Sequence, residues 1–283
     1  MQVVNLENTK NLAVLPYGKP GSGKTHFLGT ACDDDRTYPC LHVDVSGNPE
    51  TLAKRAKMKD KNGLPLRMPY VVRLQKLHEL NAIFDWFIKG QPDNHPMVDK
   101  MGCTPGYKCL NFDGVTAIQR KSFAVVLGQE LEPGGIPIKP EWGHYAAVLR
   151  QMLVIASSFL QELRNVNMHV MVSCLEHSDQ RFGVPGVAST QFVYAEPGLQ
   201  GQAVTELPGE ALAVMRFAHK SSLPAEMQKA PGLREAKRVI AQITENGKAY
   251  AKDQHGFNAV QYDDALYLPD PNVTQLLDAI GAE

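Results

Sequence analysis

Residues 18–25 read Gly18-Lys19-Pro20-Gly21-Ser22-Gly23-Lys24-Thr25 and meet the spacing G-x-x-x-x-G-K-[ST]. Each residue type has a chemical reason for its place. Glycines let backbone N–H groups turn inward around phosphate oxygens without side-chain clash. Lys24 brings an ammonium to the β and γ phosphates of a nucleotide, and Thr25 brings a hydroxyl to magnesium. His26 completes the cofactor-binding set. A glycine-rich turn without a ligand is the plain alternative, and context argues against it. The apolar run Asn11 to Pro16 leads in as a short buried strand. Residues 24–32 suit a helix whose positive N-terminal end faces the same anion.

A phosphate-bound metal needs an acidic neighbour. Asp113 is the candidate, because it closes the strand expected over Lys108 to Phe112, where Asn111 interrupts the apolar run. Asp113-Gly114 also reads as a simple turn. The candidate metal set is therefore Thr25 and Asp113.

Other elements must carry these groups. Cys40 to Val45 reads as a second strand, Glu50 to Lys61 as helix and Pro69 to Leu74 as a third strand. Leu77, Leu80, Ile83, Phe84, Phe87 and Ile88 recur at helical spacing, and Gly90 marks the stop. Residues 91–106 and 128–143 read as loops. Tyr145 to Leu163 is expected as a long amphipathic helix, Met168 to Leu175 as a strand, 178–209 as loop and Ala211 to Phe217 as a strand. Arg238 to Thr244 and Lys248 to Lys252 flank Asn246-Gly247, a hairpin signal. Early alternation of strand and helix implies an α/β fold. Its sheet is mainly parallel and flanked by helices, with antiparallel strands or a hairpin added on the C-terminal side.

The chain has 283 residues, enough for one large α/β domain. A single domain over 1–283 is expected, with a core at about 10–220 and a C-terminal hairpin and tail at about 235–283. Net charge is -1, so any nucleic-acid surface must be local. No apolar run is long enough for a membrane span, and the N-terminus lacks a signal-peptide layout. No membrane partner and a cytoplasmic location are the expectations. The 5 cysteines are odd in number and irregular in spacing, which argues against a disulfide framework. Cys103, Cys109 and His95 lack the tight pairing of a zinc site, and reduced thiols are the better reading.

Three stretches together carry a resemblance: Gly18 to Thr25, the strand end Phe112-Asp113-Gly114-Val115-Thr116, and Glu141-Trp142-Gly143-His144-Tyr145 before a long helix. They look like the phage-encoded RecA-like P-loop ATPases. The nearest group is the phage AAA-domain nucleotide-binding proteins, which include single-strand annealing proteins. Asn167 to Ser173, Glu206-Leu207-Pro208-Gly209 and Ala251-Lys252-Asp253 fit as well, so the resemblance spans roughly residues 10–256. It implies ATP binding and a homo-oligomer with nucleotide near the subunit boundary. It also implies single-stranded DNA binding or annealing in phage recombination, inside the bacterial host cell. A phage single-strand-binding protein is a further partner expected on the same ground.

The resemblance also places further catalytic candidates. The family's water-activating glutamate aligns with Ser46, and serine is no general base at neutral pH. Asp44 and Glu50 are the nearby carboxylates able to substitute. Lys252 stands where basic residues of the family reach a neighbour's γ-phosphate, although Gln254 replaces an arginine there; a hairpin-surface lysine is the equal alternative. Lys24, Asp113, Glu50, Asp44 and Lys252 thus form the catalytic set.

DNA has two candidate surfaces. Lys54, Arg55, Lys57 and Lys59 flank an apolar stripe of Leu52, Ala53 and Ala56, and read as either a phosphate-contacting patch or a solvated helix face. The loops at 128–143 and 178–192 carry Lys139, Trp142, His144, Gln180, Arg181 and Phe182, which offer cations and rings for base stacking. Trp142 also reads as packing beneath the next helix. The leading functional expectation is an ATP-dependent phage recombination or annealing protein. The alternative is a nucleotide-dependent scaffold or loader in a replication complex, with little hydrolysis. A small-molecule kinase is disfavoured, because no arginine-rich lid is present.

Overall fold

Fully buried runs such as Ala13–Gly18 and Cys40–Asp44 are the mark of strands covered on both faces, and they build the centre of this protein. A computed structural model describes residues 10–46, 50–60, 62–126, 142–182, 191–199, 203–246 and 248–282. The first elements are β1 (Ala13–Gly18), α1 (Lys24–Gly29) with a 3-10 turn (Thr30–Asp33), β2 (Cys40–Asp44), α2 (Glu50–Arg55) and β3 (Tyr70–Arg73). Then come α3 (Glu79–Ile88), α4 (Pro96–Asp99), β4 (Cys109–Asp113) and α5 (Val115–Val126). Next is α6 (Trp142–Ile155), extended by a π-helical stretch (Ala156–Glu162), followed by α7 (Leu163–Asn165) and β5 (His169–Phe182). The remainder is β6 (Gln191–Pro197), α8 (Ala203–Glu210), β7 (Ala213–His219), α9 (Ala225–Lys229), β8 (Val239–Gln242), β9 (Lys252–Asp253), β10 (Val260–Tyr262), β11 (Ala265–Pro269) and α10 (Val273–Ala279).

The described strands form one 11-stranded sheet ordered β10-β11-β8-β7-β1-β5-β4-β2-β3, with β6 on β5 and β9 on β7. From β7 to β3 the pairing is parallel throughout. The C-terminal strands β8, β11 and β10 extend the edge antiparallel, as expected. One face packs Tyr17, Phe112, Val172 and Val214 against α3, α5, α6 and α8. The other packs Val14, Met171 and Phe217 against α1 and α10. Among the described residues no helix is long and apolar enough to cross a membrane.

Several expectations need correction. Helix α2 ends at Arg55, not Lys61. There Asp60 accepts from the N–H groups of Asn62 and Leu64, and this side-chain turn competes with helix. Residues 91–106 hold the short α4, started by His95, whose ring accepts from Met97 N–H. The stretch 178–209 is not all loop: β5 runs on to Phe182 and pairs with β6 from Glu176↔Pro197 to Phe182↔Gln191, and α8 follows. Polar side chains hid this strand, with His177 and Ser178 exposed where β5 pairs with β6. The Asn246-Gly247 hairpin does not form. Asn246 Oδ1 instead accepts from Lys248 and Ala249 N–H, and the chain leaves β8 to bridge Ala195↔Ala249 and then β7.

Candidate nucleotide site

Strand β1 delivers residues 18–25 to the C-terminal end of the parallel strands, where α1 begins. Gly23 caps α1 at φ 101°, in the left-handed region open to glycine. A Cβ there would lie 2.8 Å from Val239 Cγ2, so β8 closes against the loop. At Gly18 a Cβ would lie 2.3 Å from the Phe217 carbonyl oxygen, because β7 runs alongside. Lys24 is buried, and its Nζ donates to Gly18 O at 2.8 Å, Lys19 O at 3.0 Å and Ser22 Oγ at 3.3 Å. Burial lowers its pKa and the nearby Asp113 carboxylate opposes that shift. A desolvated ammonium ringed by loop oxygens is prepared for a stronger anion such as phosphate.

Thr25 Oγ1 donates to Asp113 Oδ2 at 2.5 Å, and Ser173 Oγ donates to Asp113 Oδ1 at 2.6 Å. Strand β5 lies between β1 and β4, so Ser173 lines up with Asp113 while Thr25 reaches across from α1. Asp113↔Ser173, Asp44↔Asp113 and Asp44↔Arg73 are in register, making one polar row over four strands. His42 Nε2 lies 3.9 Å from Asp113 Oδ2. Burial lowers the His42 pKa against the pull of Asp113 and Asp44, which favours the neutral ring. Its buried Nδ1 has no hydrogen-bond partner among the described residues.

Magnesium fits this donor set. A hydroxyl beside a carboxylate offers hard oxygen ligands, and Mg²⁺ in such sites takes only one or two protein oxygens beside phosphates and waters. Thr25 would hold the ion, with Asp113 orienting Thr25 and facing the metal's coordination sphere.

The remaining expected residues separate. Asp44 is buried in the polar row, accepting from Ser46 Oγ at 3.2 Å and lying 3.5 Å from Arg73 Nε. Ser46 is exposed just past β2, and its N–H bonds to Asp113 O at 3.3 Å. Glu50 is exposed at the start of α2. Lys19, Pro20 and Gly21 form the exposed crest of the loop. His26 lies behind it, with its pKa lowered by burial, then by Arg55 and Arg238.

Lys252 does not behave as a free cation. Its Nζ donates to Gly209 O and Ala211 O, both at 2.8 Å, where α8 ends, and β9 pairs with Ala213 and Val214 rather than at the phosphate end of β7. Arg55 is corrected too. It is 1% exposed and ion-paired with Asp33, so it serves packing rather than a DNA surface. Ala53 and Ala56 are exposed, so they form no buried stripe with Leu52. Lys54, Lys57 and Lys59 are exposed. Lys139 lies outside the described residues, as do the side chains of Trp142 and Arg181, which stand in α6 and β5.

Sequence reasoning missed Ser173, His42 and the pair formed by Glu176 and Arg216. Glu176 follows Leu175, the β5 partner of Gly18, and Arg216 Nε lies 3.0 Å from its Oε2. One signal was available: Ser173 interrupts the apolar run Val170 to Leu175, as Asn111 interrupts that of β4.

No family model matches the chain, and no curated protein sequence matches it. Solved structures that align with the chain include the following two. A DnaB-like replicative helicase, described with its interactions with primase, aligns at TM-score 0.41 and 14% identity over 87% of this chain and 52% of that one. The RadB recombinase aligns at TM-score 0.40 and 17% identity over 81% of this chain and 79% of that one. The chain thus spans about half the length of the helicase chain.

Proposed function

We propose that the protein binds ATP with magnesium at residues 18–26 and acts as a RecA-like ATPase of DNA recombination or replication. The observation that carries the nucleotide reading is the hydrogen bond from Thr25 Oγ1 to Asp113 Oδ2 at 2.5 Å. A P-loop hydroxyl and a strand-end carboxylate meet as magnesium coordination requires. Lys24 grips the β and γ phosphates, backbone N–H groups of Gly21 to Thr25 cradle them, and Asp113 orients Thr25. In this reading the whole chain works as one ATPase domain.

The finer reading follows the sequence resemblance: a phage recombination or annealing protein that oligomerises and binds single-stranded DNA through Lys54, Lys57, Lys59 and the loops around Lys139, Trp142 and Arg181. A second reading, a slow-turnover scaffold, is favoured by Ser46, whose hydroxyl is bonded to Asp44 where a general base is expected.

The test is nucleotide binding and phosphate release, measured with and without single-stranded DNA, together with solution mass with and without ATP. ATP binding that disappears in Lys24→Ala is expected, by about 2–5 kcal/mol of lost binding. Equal binding by that variant overturns the nucleotide reading. DNA-stimulated turnover favours the recombinase, whereas tight binding with little turnover favours the scaffold.

A further inference from the structure

A groove of about 1000 Å³ opens between α3 and its approach, the C-terminal part of α5, and the end of α6 with the π-helical stretch after it. None of residues 18–26, nor Asp113, lines it. Leu77, Phe84, Val125 and Val154 supply its apolar surface. Val125 is 59% exposed and Val154 62%, so two aliphatic side chains face outward from helices whose other sides are buried. Together with Leu77 and Phe84 they form one apolar strip along the groove.

Charge is one-sided. Lys76, Lys121 and Arg150 line the groove, and no carboxylate is among its described lining residues. In a chain of net charge -1, this is a local departure. Lys121 Nζ reaches Gln75 O at 3.4 Å, which keeps its ammonium at the rim. Gln151 also lines the wall.

We propose that this groove docks an acidic amphipathic segment of a partner protein. Its aliphatic side chains would enter between Val125 and Val154, and its carboxylates would meet Lys76, Lys121 and Arg150. This is helix-in-groove recognition, in which apolar anchors give affinity and flanking charge gives direction. Single-stranded nucleic acid suits the surface less well. Base stacking needs an open ring face. Here Phe159 is 2% exposed and the Phe84 ring already packs edge-on to it at 5.5 Å. The outward apolar groups are aliphatic.

The probe is a fluorescein-labelled synthetic peptide with leucines at i, i+3, i+4 and i+7 and glutamates on the flanking positions, titrated into the full chain and followed by anisotropy. Saturable binding that weakens with salt is expected. Lys121→Glu combined with Arg150→Glu should weaken it by about five- to thirtyfold, and Val154→Asp should weaken it independently. Unchanged melting and ATP binding in each variant keep the comparison on the groove. The proposal is overturned if the acidic peptide does not bind. It is overturned equally if a lysine-flanked version binds as well, or if the variants leave binding unchanged. Loss of oligothymidylate binding in the double variant, without peptide binding by the parent, would make the groove a nucleic-acid surface.

Discussion

Thr25 and Asp113, 88 positions apart in the chain, are joined by a hydrogen bond of 2.5 Å, with Ser173 holding the other carboxylate oxygen at 2.6 Å. The phosphate loop and the acidic strand end therefore act as one unit. Thr25→Ala and Asp113→Asn should each reduce the magnesium dependence of ATP binding, and together they should cost clearly less than the sum of the two. Residues sharing one hydrogen bond couple by about 0.5–3 kcal/mol. A double-mutant cycle read by ATP titration at several magnesium concentrations measures this coupling. Strict additivity would separate Asp113 from the metal site.

Gly23 links the loop to the C-terminal edge of the sheet. Its φ of 101° and the 2.8 Å approach of Val239 Cγ2 to a Cβ position leave no room for a side chain. Gly23→Ala should destabilise the fold by about 1–3 kcal/mol and weaken ATP binding. Adding Val239→Ala should restore part of that stability, because one of the two causes is removed. Urea denaturation of the three variants decides it: no recovery in the double variant would mean backbone strain alone is responsible.

His169 gives the fold a dependence on acid. Burial pushes its pKa down to about 4, with Asp34 opposing. Its Nδ1 accepts from Leu12 N–H at 3.1 Å, a bond that a protonated ring cannot accept. The folded pKa lies below the unfolded value of about 6.5. The neutral ring's stabilisation is thus complete above about pH 6.5 and is lost as pH falls towards 4. The loss is on the order of 3 kcal/mol at most. Denaturation midpoints of parent and His169→Asn, compared between pH 7 and pH 4, should converge as the pH falls. A constant gap would assign the acid sensitivity elsewhere.

Ser46 separates an active ATPase from a static scaffold. It is exposed beyond β2, and its hydroxyl is bonded to Asp44. Under the scaffold reading, Ser46→Glu should speed hydrolysis towards the ~10²–10⁴-fold that general-base assistance supplies. The gain should fall short of that ceiling, because no supporting shell orients the new carboxylate. ATP affinity should drop slightly as negative charge nears the γ-phosphate. If the parent is already fast, Ser46→Glu adds nothing and Asp44→Asn or Glu50→Gln is inactive, then another carboxylate is the base and the active reading stands.

The amino-acid sequence alone determined which residues of the loop at 18–25 could do chemistry. Gly18, Gly23, Lys24 and Thr25 are neighbours in the chain, and each type has one local reason for its position. It also determined the central parallel strands, because burial on both faces leaves a continuous apolar run in Ala13–Gly18 and one broken only by Asn111 in residues 109–112. Only the tertiary structure decided what surrounds that loop. Ser173 reaches Asp113 because β5 is inserted between β1 and β4, and strand order is set by packing between distant segments, not by local pattern. Arg55 looked like its lysine neighbours until an ion pair with Asp33, 22 residues away, drew it inside. Lys252 looked like a reaching cation until the end of α8 supplied two carbonyls. The partners of Arg55 and Lys252 lie outside their own sequence windows, so their places are fixed only when the chain closes on itself.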